Sequence, residues 1–107
     1  MDPEVKRKIL DIIEASREEI IEFARELIRI PSPTGEEKEV AEATVAKMKE
    51  LGYDEVKIDE VGNVIGLIKG KGTGKKLMYN GHMDTISPGD LKLWTTDPYG
   101  AEIKDGY

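Results

Sequence analysis

The hydrophobic period of this chain changes at Gly52, and that change restricts it to folds in which helices come first and strands follow. Before Gly52, the residues Val5, Ile9, Ile12, Ile13, Ile20, Ala24, Leu27 and Ile28 recur at three- and four-residue spacing with Lys, Arg and Glu between them. That spacing gives helices with one apolar and one solvated face. Asp2-Pro3 supplies an N-cap and a first-turn proline, whose missing N–H costs nothing there. The segment from Pro3 to Arg29 is predicted to be one long helix or two joined near Ser16. Pro31-Ser32-Pro33-Thr34-Gly35 then forces a loop, because each proline fixes its own φ and disfavours the helical region for the residue before it. A further helix is expected from Glu36 to Leu51, with Val40, Ala41, Val45, Met48 and Leu51 on one face and Gly52 placed to end it.

Beyond Gly52 the pattern is that of strands. Tyr53, Val56 and Ile58, the run Val64 to Ile68 and the run Leu77 to Tyr79 are separated by Gly62-Asn63 and by the turn Gly70 to Gly74. The all-apolar run Leu77-Met78-Tyr79 is the best candidate for a central strand buried on both faces. The end of the chain is turn-rich, with a short strand expected at Ala101 to Ile103. The whole reads as α/β, helices packed against a mixed sheet, and 107 residues allow one modest domain.

Charge excludes some functions. With 16 Lys and Arg against 22 Asp and Glu, the net charge of −6 opposes attraction to nucleic acid or to anionic membrane surfaces. No apolar run approaches the roughly 20 residues of a membrane helix, and Met1-Asp2-Pro3-Glu4 does not open a basic leader, so the expected address is cytoplasmic. The chain has no Cys, so chemistry must come from His, Asp, Glu, Ser, Thr, Lys or Tyr, and its single His is His82. The absence of Gln and Cys, together with 36% charged residues, matches the composition of proteins from hot environments, and a thermophilic source is expected.

The stretch that can carry chemistry is Tyr79-Asn80-Gly81-His82-Met83-Asp84-Thr85. It follows directly on the expected central strand, where ligands gather in open α/β sheets. Imidazole is the commonest zinc ligand, and a metal-bound His usually gives its other N–H to a carboxylate. In an extended segment, His82-x-Asp84 places both side chains on one face, which suits a ligand and its supporting acid. The same pair also fits an ordinary hydrogen-bonded His and Asp. One imidazole does not complete a catalytic zinc site, which takes three protein ligands and a water. Ser32 and Ser87 have no base partner other than His82, and nothing supports a serine nucleophile.

Several further segments occur in a telling order. Leu27-Ile28-Arg29-Ile30-Pro31-Ser32 is followed by Pro33-Thr34-Gly35-Glu36-Glu37, Gly62-Asn63-Val64, Asn80-Gly81-His82-Met83-Asp84-Thr85, Trp94-Thr95-Thr96-Asp97-Pro98-Tyr99 and Asp105-Gly106. This order, over nearly the whole chain, resembles the zinc aminoacylase, acetylornithine deacetylase and succinyl-diaminopimelate desuccinylase superfamily, which also includes glutamate carboxypeptidases and di- and tripeptidases. The resemblance implies an amino-terminal part, residues 1–107, of a zinc-peptidase-like catalytic domain. It makes His82 a ligand of one ion in a two-metal centre of zinc, or of cobalt, and Asp84 the acid assigned as catalytic, acting by orienting that imidazole. The implied reaction is hydrolysis of an amide bond in an N-acyl amino acid or short peptide, a small-molecule substrate. Asp84-Thr85-Ile86, Trp94 and Asp97-Pro98-Tyr99 point toward the deacetylase-like group. Thr34, Gly35 and Glu36 match a loop and helix start and are assigned no chemistry. Trp94 and Pro98 match a packing segment near the site.

The chain departs from the family pattern by ending at Tyr107. The bridging Asp, the Glu-Glu pair and the remaining ligands of the family all come later, as does its smaller dimerisation and lid domain. The expectation is therefore a piece of a chain several times longer, homodimeric when whole. By itself this piece should bind metal weakly, show no activity and self-associate. The alternative is a small stand-alone α/β binding or scaffold domain in which His82 and Asp84 do no catalysis.

Overall fold

A computed structural model describes residues 1–107. Three helices, α1 (Pro3–Ala15), α2 (Arg17–Arg29) and α3 (Lys38–Glu50), precede two strands, β1 (Glu55–Ile58) and β2 (Val64–Leu67), and a 3-10 turn spans Leu91–Leu93. The chain is thus α/β, as expected. Asp2 caps α1, its carboxylate accepting from the backbone N–H of Glu4 at 2.7 Å. Of the two possibilities for Pro3 to Arg29, the structure shows two helices joined at Ser16. There the backbone (φ −92°, ψ 4°) leaves the helix for one residue, while its N–H is shared between the carbonyls of Ile12 and Ile13.

The end of α3 is set by Gly52 in the left-handed region, φ 78°. The N–H of Tyr53 donates to the Met48 carbonyl at 3.1 Å and that of Gly52 to the Lys49 carbonyl at 3.0 Å. These two bonds are the Schellman arrangement, which satisfies carbonyls that a helix end otherwise leaves unpaired. The turn sends the chain straight into β1. β1 and β2 pair antiparallel, with Glu55 opposite Leu67 and Ile58 opposite Val64. The connection is closed by Asp59, whose carboxylate accepts from the backbone N–H groups of Val61 and Asn63 and from the Asn63 side-chain amide.

Helix α3 lies on this hairpin, and the core sits there: Val40 and Ala41 are the buried apolar residues. Gly66, in the middle of β2, meets Met48 and the Tyr53 ring so closely that no side chain fits between them. Lys47 links α3 to α2, with Nζ 5.6 Å from the centre of the Phe23 ring and 3.8 Å from Glu19.

The sheet differs from the mixed one expected. It has two antiparallel strands, and its only parallel feature is an isolated bridge between Pro33 and Thr85. The helices do not all cover it: α3 packs on the hairpin, whereas every residue of α1 is exposed. Leu77, Met78 and Tyr79 form no strand. A strand exists by pairing, and no backbone group in this run bonds to another, so the side chains remain 78–89% exposed. The strand expected at Ala101 to Ile103 is absent because Ala101 has φ 49°, incompatible with extended backbone. The radius of gyration is 17.1 Å, against about 13 Å for a compact domain of this length. No helix is long and apolar enough to cross a membrane.

Candidate functional site

Two segments far apart in sequence meet at the candidate site: Ser32-Pro33-Thr34 after α2, and Met83-Asp84-Thr85. The N–H of Thr85 donates to the Ser32 carbonyl at 2.8 Å. The Ser32 hydroxyl, 1% exposed, donates to the Met83 carbonyl at 3.0 Å. Ser32 is therefore spent on holding the two segments in register, which agrees with the reading that it is no nucleophile. Between these contacts lies the carboxylate of Asp84. Its Oδ2 accepts from the Thr34 hydroxyl at 2.6 Å, and its Oδ1 lies 3.1 Å from Nδ1 of His82.

His82 and Asp84 do meet, although not across the face of a paired strand. Nδ1 of His82 is also 2.9 Å from the Asp84 carbonyl oxygen. Both neighbours are acceptors, so in the neutral ring Nδ1 carries the hydrogen and Nε2 keeps its lone pair. The imidazole is 85% exposed, and Nε2 makes no bond within the chain. The Asp84 carboxyl is held below its ordinary range, first by the Thr34 hydroxyl; partial removal from water opposes this, and the His82 ring adds to it.

A neutral imidazole with its lone pair on an exposed Nε2 and its N–H on a carboxylate fits one ligand position. No group of three or more His, Asp and Glu side chains gathers anywhere in the chain. These residues thus supply one ligand position, not a complete set. Beside Asp84 a cleft of about 350 Å³ runs between the start of α3 and the hairpin turn, lined in part by Glu37, Lys38, Asn63 and Met83.

Trp94, 48% exposed, and Pro98 lie at the end of α2. With Leu27, Ile28, Ile86 and Tyr99 they line an apolar cleft there, and the Trp94 indole N–H donates to the Pro88 carbonyl at 2.8 Å. Sequence reasoning missed Thr34. Its partner lies 50 residues away, and local spacing carries no signal of such a contact.

Comparison with known proteins finds several relatives. The chain is 36% identical over 92 residues to the uncharacterized protein YgeY of Escherichia coli, covering 85% of this chain and 22% of that protein. It is 35% identical over 88 residues to succinyl-diaminopimelate desuccinylase 2 of a Ruegeria species, covering 80% of this chain and 22% of the relative. With the succinyl-diaminopimelate desuccinylase of Cereibacter sphaeroides it shares 33% over 89 residues, 81% of this chain and 23% of the relative. The chain therefore spans less than a quarter of the length of these relatives. No family model and no solved structure matches it. These relatives, at 33–36% identity over 80–85% of this chain, are consistent with the resemblance of its ordered motifs to the aminoacylase, acetylornithine deacetylase and succinyl-diaminopimelate desuccinylase superfamily.

Proposed function

We propose that this chain contributes one metal-ligating imidazole, His82, and its orienting carboxylate, Asp84, to a metal-dependent amidohydrolase that cleaves an amide bond of an N-acyl amino acid or short peptide. The observation that carries the reading is the Nδ1 contact of His82 with Asp84, which leaves Nε2 as the free lone pair on an exposed ring. The kinship with desuccinylases, whose name states removal of a succinyl group, supports the reaction class.

Two zinc ions, or cobalt, are the expected complement, and the chemistry a divalent ion supplies when bound is Lewis acidity toward a water and an amide carbonyl. The chain's own residues do the positioning. Asp84 holds the N–H of His82, which fixes the tautomer and the plane of the ring and raises its basicity as a ligand. The anion at Asp84 is maintained by the Thr34 hydroxyl. One imidazole and one carboxylate do not fill a catalytic metal site, and no group of three or more potential ligands gathers in this chain.

The test is metal analysis of His82→Ala in a protein carrying this chain together with the remainder found in its relatives. The expected result is loss of one metal equivalent and of nearly all turnover. A variant that retains its full metal content and activity overturns the reading.

A further inference from the structure

The Asp84 carboxylate has two oxygens, and each is committed to a different side chain. Oδ1 faces Nδ1 of His82 at 3.1 Å and Oδ2 accepts from Thr34 at 2.6 Å. A carboxylate bonded through a single oxygen can still rotate about its last side-chain torsion, which is broad for Asp. A short bond to the second oxygen removes that freedom.

The donor is itself fixed. The N–H of Glu36 donates to the Pro33 carbonyl at 2.8 Å, closing a four-residue turn in which Gly35 has φ 93°. That is the geometry of a type II turn with glycine at its third position and Thr34 at its second. The turn is pinned to the Asp84 segment on its near side by the Pro33–Thr85 bridge and by the buried Ser32, bonded to Met83 and Thr85. Thr34 thus reaches Asp84 from a backbone held independently of the Thr34–Asp84 bond.

We propose that Thr34 is a positioning residue for the metal ligand: its hydroxyl clamps Oδ2 of Asp84 so that Oδ1 stays turned to Nδ1 of His82 and Nε2 is presented as the coordinating nitrogen. This rests on the reading of His82 as a ligand, and the experiment separates the two. Thr34→Val keeps the shape and removes the donor, and Thr34→Ser keeps the donor. Zinc affinity is measured by competition with a chelator in the protein that carries the remaining ligands, beside His82→Ala. In the metal-free protein, nitrogen NMR at fixed neutral pH reads the hydrogen bonding of Nδ1 in the His82 ring.

Thr34→Val is expected to weaken zinc binding about tenfold, within the range found for groups that support a ligand, and to shift the nitrogen signals of the ring as Oδ1 leaves Nδ1, while the Asp84 carbonyl at 2.9 Å keeps the hydrogen on Nδ1. Thr34→Ser restores both to near wild type. Wild-type zinc affinity and unchanged ring nitrogen signals in Thr34→Val, while His82→Ala loses zinc, overturn the positioning role alone. Equal losses in the Ser and Val variants, together with a lowered melting temperature, also overturn it, because a structural turn residue behaves that way. Retention of zinc by His82→Ala defeats the ligand reading and this inference with it.

Discussion

Gly66 lies directly against the ring of Tyr53: a Cβ on Gly66 would stand 2.7 Å from Cδ1 of the ring and 2.6 Å from Sδ of Met48. The methionine end can swing aside at small cost, but the tyrosine follows a turn whose backbone is fixed by two hydrogen bonds to the end of α3. Gly66→Ala is therefore expected to destabilise the α3–hairpin unit by about 1–3 kcal/mol, the usual cost of overpacking. Urea unfolding followed by circular dichroism checks this, and an unchanged midpoint would contradict the packing.

Asp59 makes the hairpin sensitive to acid. Its carboxyl is held below the ordinary range, first by the Asn63 side-chain amide and then by backbone N–H groups of the turn. A carboxyl with a depressed folded-state pKa contributes stability that is present above its unfolded value, about 4. That stability is lost as pH falls through the folded value. The hairpin should therefore weaken below about pH 4, and Asp59→Ala should flatten this part of the pH dependence. Unfolding midpoints of the two proteins at pH 6 and pH 3 give the comparison.

Asp84→Asn separates an orienting acid from a ligand. The amide can still contact His82 and Thr34, so the fold should be preserved, while metal affinity or activity in the protein with its remaining ligands should fall by about 10–100-fold. Metal content and melting temperature measured together check it. A drop in stability at unchanged metal affinity would show an ordinary hydrogen-bonded pair.

The chain by itself should self-associate. Ile9, Ile12 and Ile13 of α1 and the unpaired run Leu77 to Tyr79 are exposed, and uncovered apolar faces and unpaired backbone promote association. Light scattering over a concentration series is expected to show species larger than a monomer.

The local parts of this fold were legible because their causes are local. Asp2 before Pro3 announces a cap, Gly52 after an amphipathic run announces a left-handed stop, and Gly62-Asn63 announces the hairpin turn. The run Leu77 to Tyr79 was misread because apolar character states what a segment would gain from burial, not whether pairing partners exist. At the site, the nearness of His82 and Asp84 followed from two-residue spacing. Thr34 did not, because the clasp that brings it to Asp84 depends on a backbone bridge between segments some 50 residues apart.

That bridge also sets an order of events. Joining Pro33 to Thr85 closes a loop that contains the whole of α3 and the hairpin. Closing a flexible loop of that length costs about 3–4 kcal/mol in chain entropy, on a cost that grows as the logarithm of loop length. Helix α3 and the hairpin need only short-range contacts, and their prior formation shortens the effective loop. On this reckoning the geometry around Asp84 and His82 assembles after α3 and the hairpin and comes apart before them, so the chemistry of the candidate site reports on the integrity of everything enclosed by it.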